Sequence, residues 1–398
     1  MKLFVKHVSI FALAQMAAGL IAFAYSVVTA RILGVTEYGL FQVLLSMNAL
    51  ALAFTLPLNF AVVHCAGVTE EKERDIVTGE FLKVAFLGSV SMVTLLLLAA
   101  PFLTAFFKIS QFGVILNVGV LIIANALTTV FYGRLQGEKR FVLFSWIRVI
   151  QTVAVLILGV FLMKVGLSSS GAIAGYYLGM ILVLVFFLSQ SKMYAWQKGY
   201  SHIQNELKSV TWIVFCVWTV MMLDNIPMMM ARGRLSEVMS GYYASVYNLR
   251  NAIWPLAYAV ILPFYSHSLE KTQDETMMFR QAVRMLLFLG GGFVVVGLAF
   301  AKPLFHFLYG AKFSEASYLM SFYGVVILAE IVMLLLMFFE IAKGKMSVTR
   351  IILPLAVLGV ALYLWGAEIE GLLAAPVLAA FSYFLIFALS DAQKPARP

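Results

Sequence analysis

Three ionisable side chains stand inside apolar runs of this 398-residue chain: Asp224, Arg250 and Glu330. A charge within a bilayer costs ~2.5–3.5 kcal/mol on insertion scales, so each needs a partner, a watery cavity or a task. Arg250 keeps its charge and presents a planar fork of donors suited to phosphate or carboxylate oxygens. Asp224 lies seven residues before a polar hairpin, Ala231–Ser240, and Arg250 nine residues after Gly241. At 1.5 Å per residue both sit roughly 10–14 Å below the outer surface, on adjacent antiparallel helices. They can pair, or share one wet cavity. Glu330, ~14 residues from the outer end of its own helix, either partners Arg250 or serves as a coupling site for H⁺ or Na⁺. Asp224 has the same two options. Glu340, at the inner end of that helix, is expected to be solvated.

Other polar groups follow in order of reach. Arg31 and Arg232 close outer helix ends, where they either snorkel and cap carbonyls or bind an anionic cargo at an outward gate. Arg148, with Gln151 one turn on, can line an inward mouth. Amides recur inside spans, among them Gln15, Gln42, Asn48, Asn59, Asn117, Asn125, Asn225, Asn248 and Asn251. Sugars bind through such amides together with aromatic faces, and helix–helix hydrogen bonding uses the same amides. Asn48, Asn248 and Asn251 are the ones grouped with Arg250. The methionines around Met221–Met230 read as adaptable packing, and Pro227 and Pro255 as bends.

No catalytic or metal-binding set emerges. The five histidines are scattered, with no HExxH and no histidine–carboxylate spacing, and the chain has no GxxxxGK[ST] loop for ATP. Cys65 and Cys216 form neither a disulfide framework nor a metal spacing. No cofactor is expected beyond the alternative of H⁺ or Na⁺ coupling.

The elements that hold these residues are set by composition. Hydrophobic residues make up 63% and charged residues 12%, with mean hydropathy +0.96. Soluble domains run near 45–50% apolar and about 25% charged, so the chain reads as an all-α polytopic membrane protein. Twelve helices of about 20 residues or slightly more are expected, near 7–30, 39–64, 82–106, 111–133, 141–163, 171–190, 209–230, 241–266, 282–307, 316–340, 348–365 and 371–390. The uncharged run His7–Ala30 is too long for a signal peptide's core and reads as a first span that stays.

With the N-terminus in the cytoplasm, the inner segments carry 20 lysines and arginines and the outer ones 7. That asymmetry predicts both termini cytoplasmic and an even helix count. The net charge of +9 is spread over short loops, which gives a topology signal and no nucleic-acid face.

The halves repeat. ARILGVTEYGLF at Ala30–Phe41 echoes ARGRLSEVMSGYY at Ala231–Tyr243; Pro101 matches Pro303; LQGEKRF at Leu135–Phe141 matches AKGKMSV at Ala342–Val348. The offsets are 201, 202 and 207 residues. A shift of six helices preserves orientation, which predicts two six-helix lobes, 1–200 and 201–398, related by a pseudo-twofold along the membrane normal. The linker is Ser191–Lys208. Arg250 then maps on Asn48, so one lobe offers a cation where the other offers a neutral amide.

These segments, together with FYGRLQGEKRF, ILPFYS and LFHFLYGAKFSEAS taken in order, make the chain resemble the polysaccharide-transporter branch of the multidrug/oligosaccharidyl-lipid/polysaccharide flippase superfamily. The resemblance covers nearly the whole chain. It implies a carrier in the plasma (inner) membrane that turns a polyprenyl-diphosphate-linked oligosaccharide from the cytoplasmic to the outer leaflet by alternating access, for surface polysaccharide synthesis. Membrane lipids and other polysaccharide-assembly proteins are the partners it implies. Two alternatives stand beside it: a cation-coupled drug or small-solute antiporter of the same superfamily, and a membrane polymerase or glycosyltransferase. Short outer loops disfavour the last, and a cation in the cavity disfavours export of cationic drugs.

Overall fold

The computed structural model describes residues 2–52, 55–70, 73–110, 112–190, 211–269 and 275–392. Among them every regular element is helical. An apolar chain in lipid has to satisfy its backbone within each segment, and helices do this. The chain divides into two compact units, Met1–Val214 and Phe215–Pro398. The expected linker Ser191–Lys208 lies outside the described residues, as do Lys72, Lys271, Lys394 and Arg397.

The first unit opens with α1, Lys2–Leu52, which is interrupted at Gly34 (φ 75°, ψ −179°). The Ser26 and Tyr38 hydroxyls are 2.8 Å apart, and the Gln42 amide donates to Ser26 over 3.0 Å. In one unbroken helix residues twelve apart would be ~18 Å from each other. The chain therefore folds back at Gly34, whose positive φ a residue with a side chain would resist. α1 is thus the first expected helix and the first part of the second, folded as a hairpin and pinned by a buried Ser26–Tyr38–Gln42 triad.

The second expected helix is itself broken. α1 stops at Leu52, and α2 (Leu56–Val68) begins with a proline in its first turn, a position where the missing N–H has no intrahelical role. α3 (Arg74–Phe107) and α4 (Gly113–Gly137) pack together. α5 (Phe141–Leu162) passes through a π-turn, Met163–Leu167, into α6 (Ser168–Gln190). Gly171, Gly175 and Gly179 repeat every fourth residue along α6 and lie against α5. A Cβ at Gly175 would come within 2.5 Å of the Gly159 Cα. This is the small-residue spacing that lets membrane helices touch backbone to backbone.

The second unit holds α7 (Thr211–Arg234), α8 (Glu237–Leu269), α9 (Glu275–Tyr309), a 3₁₀ segment Ala311–Tyr318, α10 (Leu319–Ala342), α11 (Val348–Trp365) and α12 (Ile369–Ala392). α10 packs on α8, α9 and α12, and its Tyr323, Glu330 and Glu340 are buried. α3 and α9 start about two turns before the expected 82 and 282. A helix need not end where the apolar run ends, because water solvates its protruding turns.

Nine stretches among the described residues are long and apolar enough to cross a bilayer. Two of them, Met16–Leu52 and Phe141–Ser189, each join two elements that were expected as separate spans. The expected eighth span, 241–266, is not among the nine, because Asn248, Arg250 and Asn251 load its middle with polar groups. The expected count of twelve spans therefore differs from this tally of nine.

Candidate functional site

The ionisable residues of the second unit converge. Asp224 on α7 and Arg250 on α8 form an ion pair, Arg250 Nε to Asp224 Oδ2. The Asp224 side chain is fully enclosed, while that of Arg250 keeps 12% of its exposure. The α7–α8 hairpin is short, so equal depths on antiparallel helices bring the two together. Tyr323 on α10 donates its hydroxyl to Asp224 Oδ1 over 3.1 Å. The Tyr323 ring meets Tyr243 edge to face, with centroids 5.9 Å apart.

Glu330 stands two turns along α10 from Tyr323, on the same face. It is fully buried and interacts with both Asp224 and Arg250, its carboxyl lying beside that of Asp224. Two carboxyls and one guanidinium thus share one apolar enclosure. Their formal charges do not cancel, and an uncompensated buried charge is expensive. A proton or a monovalent cation would balance the set.

Aromatic rings frame the arginine. Its Cζ lies 4.9 Å from the Trp254 ring centre and 5.7 Å from that of Tyr247. Arg250 Nη1 also reaches the Tyr247 hydroxyl at 3.5 Å, and that hydroxyl donates to Asn225 Oδ1 over 2.9 Å. Residues 247, 250 and 254 fall on one face of α8 through their i, i+3, i+7 spacing. Cation–π contact stabilises a partly desolvated guanidinium by ~0.5–2 kcal/mol.

The remaining residues singled out in the sequence have other positions. Asn248 is buried and donates to the Tyr309 hydroxyl on α9 over 3.1 Å. Asn251 donates to Asn248 Oδ1 over 3.1 Å and is otherwise exposed. Arg232 is buried, 3.4 Å from Glu237 across the hairpin, whereas its repeat partner Arg31 is exposed. In the first unit Asn48 accepts from Asn125 over 3.0 Å, so the residue that maps on Arg250 is part of a neutral amide pair. Arg148 donates to Gln151 over 3.3 Å and lies 5.3 Å from the Tyr132 ring centre, and Tyr132 donates to the same Gln151 oxygen.

Glu340 departs from expectation. It is buried, ion-paired with Arg350 of α11, and accepts a hydrogen bond from Tyr383 of α12. Arg350 also donates to the Lys345 carbonyl over 2.9 Å. Arg350 of α11 and Tyr383 of α12 cover this end of α10, which keeps water from Glu340. Sequence reading also passed over Tyr247, Trp254 and Tyr323. The available signal was aromatic residues at −3 and +4 from Arg250, and a tyrosine seven residues before Glu330.

A family model described as "Polysaccharide biosynthesis protein" matches residues 4–263. No curated protein matches the chain significantly in sequence. The fold is similar to that of an inward-facing multidrug resistance MATE family transporter of the MOP superfamily, with TM-score 0.69, 16% identity, and coverage of 95% of this chain and 96% of that one. It is also similar to the lipid II flippase MurJ in an inward closed conformation, with TM-score 0.70, 16% identity, and coverage of 97% and 88%. A MOP superfamily transporter from Pyrococcus furiosus, described as having a binding pocket of reverse polarity, matches with TM-score 0.60, 12% identity, and coverage of 98% and 97%.

Proposed function

The chain belongs to the polysaccharide biosynthesis protein family, and from that membership we propose that it is a flippase for a polyprenyl-diphosphate-linked oligosaccharide. It is a multi-pass membrane protein with the fold of MOP-superfamily transporters. In this reading it works in the plasma membrane with both termini cytoplasmic, moves its cargo to the outer leaflet by alternating access, and supplies surface polysaccharide assembly. The 20-to-7 distribution of basic residues supports that orientation.

One observation carries the reading: a guanidinium in the middle of α8, partly open, held by a single carboxylate ion pair and by aromatic faces. A diphosphate offers Arg250 bidentate, charge-assisted contacts that compete with Asp224. When the cargo takes Arg250, Asp224 and Glu330 are left as two carboxyls without their cation. The charge imbalance then favours uptake of H⁺ or Na⁺. Anionic cargo and coupling cation therefore promote each other's binding, and linkage makes that promotion mutual. Asn248 and Asn251, beside Arg250 on α8, supply amide groups for the cargo. Asn48 and Arg148 are assigned as neutral and inward-mouth contacts of the first unit, and Arg31 and Arg232 as outer contacts.

The test is complementation in a strain lacking this gene. Arg250→Ala is expected to abolish surface-glycan export while the protein still inserts at normal abundance. Full export by that variant would remove Arg250 from cargo recognition. An antiporter of cationic drugs would instead keep resistance and export with Arg250 removed.

A further inference from the structure

Trp254 is the most constrained polar side chain near the arginine that has no assigned task. It is 7% exposed, its Nε1 has no hydrogen-bond partner, and the Arg250 guanidinium lies against its ring. Tyr258, a further turn along α8, meets it with ring centroids 5.4 Å apart at 39°. Arg250, Trp254 and Tyr258 thus form an i, i+4, i+8 stripe on one helix face. Packing alone accounts for the rings but not for the indole N–H, since buried tryptophans ordinarily find an acceptor. The next residue, Pro255, lacks the N–H that would engage the Asn251 carbonyl, so a backbone carbonyl at this turn also lacks its usual helical partner.

We infer that Trp254 and Tyr258 form the recognition platform for the first sugar of the cargo, capped by Arg250 until the diphosphate draws the guanidinium away. The inference rests on the cargo reading of Arg250 and adds what the site recognises beyond charge. A sugar is joined to its lipid diphosphate through one bridging oxygen, so its ring lies within a helical turn of the anion. With the diphosphate on Arg250, the apolar C–H face of a pyranose meets the aromatic face one turn along. A ring hydroxyl or acyl oxygen then accepts from Trp254 Nε1. The cap imposes an order: a free sugar finds the ring covered, and a bare diphosphate uncovers it without filling it. The site therefore prefers a glycosylated lipid diphosphate to the bare diphosphate and excludes the free sugar.

The full-length protein in lipid nanodiscs tests this with three probes: a polyprenyl diphosphate, the same lipid bearing one N-acetylhexosamine, and the free N-acetylhexosamine. Wild type is expected to bind the glycosylated lipid roughly fivefold to tenfold more tightly than the bare diphosphate, the scale of one good aromatic contact, and the free sugar not measurably. Trp254→Leu is expected to bind both lipids alike, at the bare-diphosphate affinity. Trp254→Phe keeps a ring but no N–H and is expected to retain part of the preference. Tyr258→Leu is expected to lower it, and answers the question if Trp254→Leu does not fold. Arg250→Gln separates the two readings by weakening both lipids. If Arg250→Gln weakens both while Trp254→Leu and Tyr258→Leu leave the preference intact, the platform is overturned and the cargo role of Arg250 stands. If Arg250→Gln changes neither, the cargo role fails and the platform with it. Measurable binding of free sugar to wild type would overturn the capping.

Discussion

Tyr323 holds Asp224 through a 3.1 Å hydrogen bond, and does so from the helix that also presents Glu330 two turns away. The carboxylate that pairs with Arg250 is therefore anchored on the opposite side from its partner. Release of the arginine leaves Asp224 oriented and still close to Glu330.

Removing that anchor has a defined cost. Tyr323→Phe deletes one hydrogen bond to a buried carboxylate, worth about 1.5–3 kcal/mol for bonds to charged groups. Thermal unfolding of the purified protein is expected to move to lower temperature by a corresponding amount. Cargo binding should weaken less than with Arg250→Gln.

The Arg250–Asp224 pair yields to a charge swap. Asp224→Arg alone or Arg250→Asp alone leaves like charges buried together, and breaking a buried pair costs about 3–5 kcal/mol. The double variant is expected to recover abundance and thermal stability but not glycan export. Recovery of export as well would mean that the arginine serves only to hold α7 and α8 together.

Glu330 is the carboxyl in excess of the ion pair. Glu330→Gln removes one negative charge with little change in volume. Export by this variant is expected to lose its dependence on the H⁺ or Na⁺ gradient while lipid-diphosphate binding persists. Vesicle flipping assays with imposed gradients, each ion varied alone, measure this directly.

At the other end of α10, Glu340→Ala strands Arg350 and Tyr383. Loss of one partner of a buried ion pair predicts destabilisation of about 3–5 kcal/mol. Low abundance in the membrane is the readout, and a second change of Arg350 to Met is expected to restore part of it.

Much of this arrangement was legible in the sequence, for reasons that differ by residue. Asp224 and Arg250 could be matched in depth because a short hairpin fixes the register of two antiparallel helices. The reversal near Gly34 was visible as a polar break, ILGVTEYG, between apolar runs. Tyr323 could not be joined to Asp224, since 99 residues separate them and helix periodicity does not say which faces meet. Glu340 was misjudged for the same reason. Its position at a helix end suggested water, while burial depended on Arg350 and Tyr383 arriving from later helices. Arg232 and Arg31 look equivalent in the repeat, yet only Arg232 is buried against a glutamate five residues on.

The glycine seam of the first unit carries a mechanical consequence. With Gly175 set against Gly159, α5 and α6 have no side chains between them at that point to slide or re-rotamer. Two rods in backbone contact bend and tilt as one, so the pair acts as a stiff spar. Gly175→Ala, which drives a methyl into that backbone, should cost about 1–3 kcal/mol as overpacking does. Bending within the unit then has to come from elements other than the α5–α6 pair.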